Sequence, residues 1–168
     1  MGEGMSADPI LVLTTGGTID KNYFDALSEY QITDSGIPDL LKEARVALPF
    51  RVVELMRKDS LELTDADRTL IAAAVREAPE SRIVITHGTD TMTETAKALA
   101  DVPDKVIVLT GALSPARFAE TDAPFNLGMA FAAAQTASPG VWIAMSGQVF
   151  NGVKVKKDRA AGRFIPLD

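Results

Sequence analysis

The sequence predicts a single α/β domain: a three-layer, doubly wound, mostly parallel sheet with a β-hairpin toward its C-terminal end. Three observations carry this. Short β-branched runs alternate with segments of helical spacing along the chain. The runs are apolar at consecutive positions, the pattern of strands covered on both faces. At 168 residues, without an internal repeat or low-complexity linker, the chain has the size of one domain with a real core.

Each element follows in order. "PILVLT" (9–14) reads as the first strand, and the glycine-rich "TTGGTID" ends it. Residues 37–45 have helical spacing, with Pro38 where a first-turn proline is tolerated. "FRVVELM" (50–56) is the second strand, followed by a helix over 64–78 that Thr64 or Asp65 can cap. "RIVIT" (82–86) is the third strand, and Thr89 or Asp90 can cap a helix over 89–100. "KVIVLTG" (105–111), a helix over 124–137 opened by Pro124, and "GVWIAMSG" (140–147) complete the alternation. In 148–157 the residues alternate around Asn151-Gly152, a favoured two-residue hairpin turn.

Composition removes several classes of chemistry. Cysteine is absent, which excludes disulfides, thiolate metal sites and a cysteine nucleophile. A single histidine, His87, cannot form a histidine cluster, and burial as a hydrogen-bonded packing residue accounts for it. The net charge of −6 argues against nucleic acid and anionic membranes as partners. No apolar run approaches the roughly 20 residues that span a bilayer. The N-terminus has no basic or apolar signal region. Gly2 and Ser6 fit the loose myristoylation pattern, which chance often supplies. The expected frame is a soluble, cytoplasmic protein.

Three polar clusters fall at the carboxyl ends of the first three strands, where open parallel sheets bind ligands. They are "TTGGT", "KDS" and "THGTDT". Gly16 and Gly17 allow positive φ and close backbone approach, so N–H groups there can face an anion, with the Thr15 and Thr18 hydroxyls beside them. A simple strand-to-loop turn would use the same glycines. Thr89 and Asp90 read equally as a helix cap or as groups facing a cation. The cation would come from Lys154, Lys156 or Lys157, and spacing leaves all three open. A lysine between a threonine hydroxyl and Asp90 could polarise that hydroxyl.

Together "TTGGTI", "VITHGTDTMTETA" and "TGALSPARFAETDAPFNL" resemble the bacterial-type L-asparaginase family over roughly residues 9–157. The resemblance implies hydrolysis of the asparagine side-chain amide to aspartate and ammonia, without metal or organic cofactor. It implies Thr18 as the nucleophile that forms an acyl-enzyme, and Thr89, Asp90 and Lys157 as a second catalytic group, with Lys156 the next candidate. It implies Tyr23 as the tyrosine that closes over the substrate, Tyr30 being the alternative. Gly17, Ser60, Gly88, Thr89 and Asp90 would bind the substrate, Ser60 through its carboxylate. Leu61 departs from the family, which commonly has a polar residue there.

Length departs too. The resemblance reaches the family's N-terminal catalytic domain, and its usual C-terminal domain is expected to be absent. A homodimer or dimer of dimers is expected by analogy. A glutaminase or amidotransferase component and a non-catalytic amino-acid-binding domain are the alternatives.

Overall fold

The computed structural model describes residues 8–24, 29–32 and 35–168, with backbone alone for 22–24 and 29–32. Among the described residues, ten strands and four α-helices run in the order β1 (Ile10–Gly16), β2 (Lys21–Phe24), β3 (Glu29–Ile32), α1 (Ile37–Glu43), β4 (Phe50–Lys58), α2 (Asp65–Glu77), β5 (Arg82–Thr86), α3 (Met92–Ala98), β6 (Val106–Thr110), α4 (Ala123–Thr136), β7 (Gly140–Met145), β8 (Gln148–Asn151), β9 (Val155–Asp158) and β10 (Arg163–Pro166). The main sheet has the order β4-β1-β5-β6-β7-β8. Its first five strands are parallel, and β8 pairs antiparallel with β7. The doubly wound α/β reading therefore holds.

Apolar runs make the central strands because both faces of the sheet are covered. Every residue of β1 is buried. Leu11 and Leu13 join one core cluster with Ile71, Val75, Met92 and Leu99 from α2, α3 and the turn after α3. Ile10 and Val12 join the opposite cluster with Ile37, Leu41, Leu127 and Phe131 from α1 and α4. The period-two alternation of side chains thus sorts one strand's residues between two helical layers.

Winding reverses at β1: the chain crosses from β1 to β4 on one side, then returns to β5 on the other. The carboxyl ends of β1 and β5 are therefore adjacent at a switch point, where such sheets open a crevice. The loop after β4 lies on β1's other flank, with Gly16 in register with Lys58.

Two local expectations are corrected. Met92, not a residue near 89, opens α3, and its cap position is Thr91 with no side-chain cap bond. Thr89 and Asp90 do not cap this helix because their side chains are bonded to Lys157, described below. By contrast Thr64 caps α2 with a full capping box. Its Oγ1 accepts from the Asp67 N–H at 3.2 Å, while the Asp67 carboxylate accepts from the Thr64 N–H at 2.9 Å. Such a cap contributes about 0.5 to 2 kcal/mol.

The second correction concerns the turn. Ser146-Gly147, both at positive φ (54° and 81°), makes the two-residue connection between β7 and β8. The buried Asn126 side chain accepts the Ser146 N–H at 3.1 Å and holds that turn. At Asn151-Gly152 the chain instead leaves the sheet. The Gly152 N–H donates to Val141 O at 2.8 Å, and an added methyl there would lie 3.0 Å from that oxygen. The C-terminal hairpin is formed by β9 and β10, seated on the core through Val155 and Phe164.

Candidate active site

The three strand-end clusters meet, and glycines are the reason they can. Gly17, at φ 83°, packs so closely on the loop after β5 that an added methyl would lie 2.5 Å from Gly88 N. A methyl on Gly88 would lie 2.6 Å from Ser60 Cβ and 2.7 Å from its Oγ. Gly17 N–H also donates to Lys58 O at 3.0 Å, and the Thr91 hydroxyl donates to Ser60 O at 2.7 Å. Residues 17, 60 and 88 thus form one stacked seam. Because Gly88 has ordinary φ, its requirement is purely steric. Gly88→Ala should lower the melting temperature through an overpacking loss of about 1 to 3 kcal/mol and displace Ser60. Thermal unfolding and ligand affinity check this; a variant unchanged in both would contradict the seam.

Thr18 opens a short 3₁₀ turn, Thr18–Asp20, immediately after Gly17, and is half-buried. Ile19 below it is fully buried, and its carbonyl accepts from the Ala116 N–H at 3.0 Å. Thr15 is used differently. Its hydroxyl is buried and donates to Thr86 O at 2.8 Å, joining β1 to β5. Of the two threonines flanking the glycine pair, Thr15 is therefore committed to the sheet.

Lys157 reaches the same place from the C-terminal hairpin. Its Nζ donates to Thr89 Oγ1 and to Asp90 Oδ1, each at 2.8 Å. Strand alternation selects it among the lysines the sequence left open. Val155 is buried in the core, Lys157 shares its face, and Lys156 points outward and is exposed. The hydrogen bond from Lys157, aided by the charges of Lys157, Arg159 and Lys21, holds the Asp90 carboxyl below its ordinary range. Thr89 is buried. Among the described residues the Thr89 and Asp90 N–H groups have no acceptor.

His87 stands beneath this group as a packing residue. Its Nδ1 pairs with Gly88 O at 2.6 Å and its Nε2 with Thr95 Oγ1 at 2.7 Å, so the ring donates to the carbonyl and accepts from the hydroxyl. Burial pushes its pKa down to about 4, leaving it neutral at physiological pH.

Tyr23 and Tyr30 occupy directly paired positions on the β2–β3 ribbon, so register does not separate them. Their side chains lie outside the described residues. So do the Gly2–Ser6 pattern and residues 25–28 and 33–34, between and after the two strands of that ribbon.

Two neighbours of Thr18 carried no sequence signal. Asp20 is buried, and its Oδ1 accepts from the Ser35 hydroxyl at 2.9 Å and the Gly36 N–H at 3.1 Å. It thereby fastens the start of α1 beside the Thr18 turn. Burial raises its pKa despite those bonds. A carboxyl with a raised folded-state pKa opposes folding above that pKa, and the penalty fades as pH falls toward the unfolded value. Asp20→Asn, which keeps the accepting oxygen, should therefore raise the melting temperature at neutral pH, with the gain shrinking toward pH 4. Thermal scans across pH measure it; a gain that grows on acidification would refute the assignment. The second neighbour, Lys21, pairs with Asp59 at 2.9 Å.

Fold and site define a doubly wound α/β protein in which a threonine hydroxyl, a carboxylate and a lysine meet at the sheet's switch point. The chain belongs to the asparaginase family: the family's "Asparaginase, N-terminal" model matches residues 9–163. It is 34% identical over 163 residues to an L-asparaginase of Thermococcus kodakarensis, covering 91% of this chain and 48% of that protein. It is 33% identical over 179 residues to a glutamyl-tRNA(Gln) amidotransferase component of Aeropyrum pernix, covering 92% and 40%. The solved structure of the thermostable L-asparaginase from Thermococcus kodakarensis superposes with a TM-score of 0.83 at 31% identity, covering 94% of this chain and 51% of that one. The chain spans about half the length of the curated relatives it matches. Among the described residues no helix is long and apolar enough to cross a membrane.

Proposed function

We propose that this chain hydrolyses the side-chain amide of L-asparagine to aspartate and ammonia, with residues 9–163 acting as the catalytic domain. Thr18 Oγ attacks the amide carbon, and its proton ends on the departing nitrogen. The tetrahedral intermediate expels ammonia and leaves an aspartyl ester on Thr18. Water then cleaves the ester, releases aspartate and restores the hydroxyl. A threonine is a weak nucleophile unless a neighbouring group activates it or its leaving group. The observation that carries the proposal is Lys157 held at 2.8 Å from both Thr89 Oγ1 and Asp90 Oδ1, a charged relay facing the crevice of the Thr18 turn. The unengaged Thr89 and Asp90 N–H groups suit a developing oxyanion, where a donor is worth about 3 to 4 kcal/mol. Gly17 is less suited, since its N–H is held by Lys58 O.

Gly17, Gly88 and Ser60 form the floor that receives the substrate, with Ser60 Oγ directed at the Gly88 seam. Tyr23 completes the proposed set as the residue closing over the amide. A homodimer or dimer of dimers belongs to the same reading, supported by the exposed apolar side chains Leu113, Phe125 and Val149.

A second reading, an amidotransferase component that delivers ammonia onward, is favoured by the likeness to the Aeropyrum pernix relative. Ammonia release from L-asparagine and L-glutamine separates the two. One methylene gives about 1 to 3 kcal/mol of discrimination, so a 10- to 200-fold preference for asparagine is expected. Glutamine turnover that requires a partner protein would favour the second reading, and a folded protein inert toward both amides would favour a binding module.

A further inference from the structure

The start of α2 carries two adjacent charged residues that are both buried, Asp67 and Arg68, each 7% exposed. They hold different parts of the crevice. Both Asp67 carboxylate oxygens accept from Lys58 Nζ, at 3.0 and 2.9 Å. Lys58 ends β4, and its carbonyl accepts the Gly17 N–H at 3.0 Å, directly before Thr18. Arg68 reaches α3 instead. Its Nη2 lies 3.0 Å from Glu94 Oε2, in the first turn of the helix that follows Thr89, Asp90 and Thr91. Its Nη1 donates to Asp65 Oδ1 at 3.2 Å. One helical turn is thereby tied to the glycine pair before Thr18 on one side, and to the helix after the Thr89–Asp90 loop on the other.

We propose that Arg68 is a positioning residue. By gripping Glu94 from the turn that Asp67 anchors to Lys58, it sets the alignment of the Thr18 turn with the Thr89–Asp90–Lys157 group. This rests on the amidohydrolase reading and deepens it by naming what aligns the two halves of that site.

Stability does not account for an arginine here. Burying a guanidinium sacrifices hydration, and the Arg68 Nε is buried with no hydrogen-bond partner among the described residues. Its two carboxylate partners face water, the Asp65 side chain fully and Glu94 at 59% exposure. Without Arg68 both would stay hydrated, and no buried charge would be stranded. An unbranched methionine would fill the same space with no polar atom to desolvate. What the arginine alone supplies is a planar fork of donors, oriented by Asp65 on its own helix and presented to Glu94 on the next. The Thr91 hydroxyl ties the Thr89–Asp90 loop to Ser60 O at one point. One hydrogen bond fixes a point and leaves the orientation free, whereas the Arg68–Glu94 pair supplies the second attachment. Thr95, next to Glu94, carries that alignment to His87 Nε2 at 2.7 Å, and His87 Nδ1 carries it to Gly88 O.

The test uses the whole chain and reads stability, kinetics and loop order together. Arg68→Met should keep the melting temperature at or above wild type, while kcat for L-asparagine falls about 10- to 100-fold, the scale of a small misplacement of reacting groups. KM should stay close to wild type, because the Ser60–Gly88 contact remains. Backbone amide NMR resonances of Gly88 to Thr91 should shift or broaden. Glu94→Ala should reproduce these effects, and the double variant should lose no more than either single one. Arg76→Met, which removes a similar pair with Asp101 farther along α2, should change none of them. A melting temperature that falls along with kcat would make Arg68 an ordinary stabilising residue and overturn the proposal. Full kcat in Arg68→Met, a rise in KM alone, or additive losses in the double variant would also overturn it. The amide spectra keep the two claims apart. In a wild type without turnover, Gly88–Thr91 resonances perturbed by Arg68→Met but not by Arg76→Met would retain the alignment and sink the hydrolase reading alone. Unperturbed resonances beside normal turnover would sink this inference alone.

Discussion

Thr18→Ala is expected to lower kcat for L-asparagine by about 10⁴-fold or more while leaving the melting temperature close to wild type. The two halves of this result have separate causes. Activity falls because the variant keeps the crevice, Lys157 and the N–H donors but has no oxygen with which to form the ester. Stability holds because Thr18 is only half-buried, and the turn that carries it is fixed by the buried Ile19, by Ala116 and by Asp20. Substrate affinity should change little, since Ser60, Gly88 and Asp90 remain in place. Steady-state kinetics with a thermal scan read both halves. Near wild-type turnover would remove Thr18 from the chemistry, and a collapsed melting temperature would reduce it to a structural residue.

Lys157→Met should lower kcat by about 10²- to 10³-fold, the scale of a positioned proton-transfer or electrostatic group. Its aliphatic stem keeps the packing near Val155, but Thr89 and Asp90 lose their shared donor. The pH profile should shift as well. Lys157 is the main cause of the depressed Asp90 pKa, so without it that pKa rises toward the ordinary carboxylate value. The acidic limb of residual activity should then move to higher pH. Lys156→Met, on the outward face of the same strand, should do neither. If both variants behaved alike, the choice of Lys157 by strand alternation would be wrong.

Most of the sheet could be read from sequence because its strands are buried on both faces, and such strands are written as continuous apolar runs. β1 is the plainest example, buried throughout. The crevice was legible for a related reason: clusters at strand ends converge whenever the strands are neighbours, and β1 and β5 are. What escaped depended on tertiary competition for local signals. Asn151-Gly152 is a strong hairpin signal, yet Asn126 stabilises the turn at Ser146-Gly147, while Gly152 is needed where the chain passes Val141 and Ala96. Thr89 and Asp90 have the chemistry of helix caps, but a lysine 67 residues past Asp90 takes their oxygens. No spacing rule could choose among three lysines before β9 was known to bury Val155. Asp20 and Lys21 sit in no recognised pattern, because their partners Ser35, Gly36 and Asp59 come from other loops.

The central claim is that an ester forms on Thr18, and mass mapping tests it most directly. The protein would be quenched in acid during turnover of saturating L-asparagine and cleaved with trypsin, which separates the peptide ending at Lys21 from the peptide holding Thr89. One aspartyl group on the Thr18 peptide, absent from Thr18→Ala, is the expected result. An aspartyl group on the Thr89 peptide instead would contradict the account and exchange the roles of the two threonines.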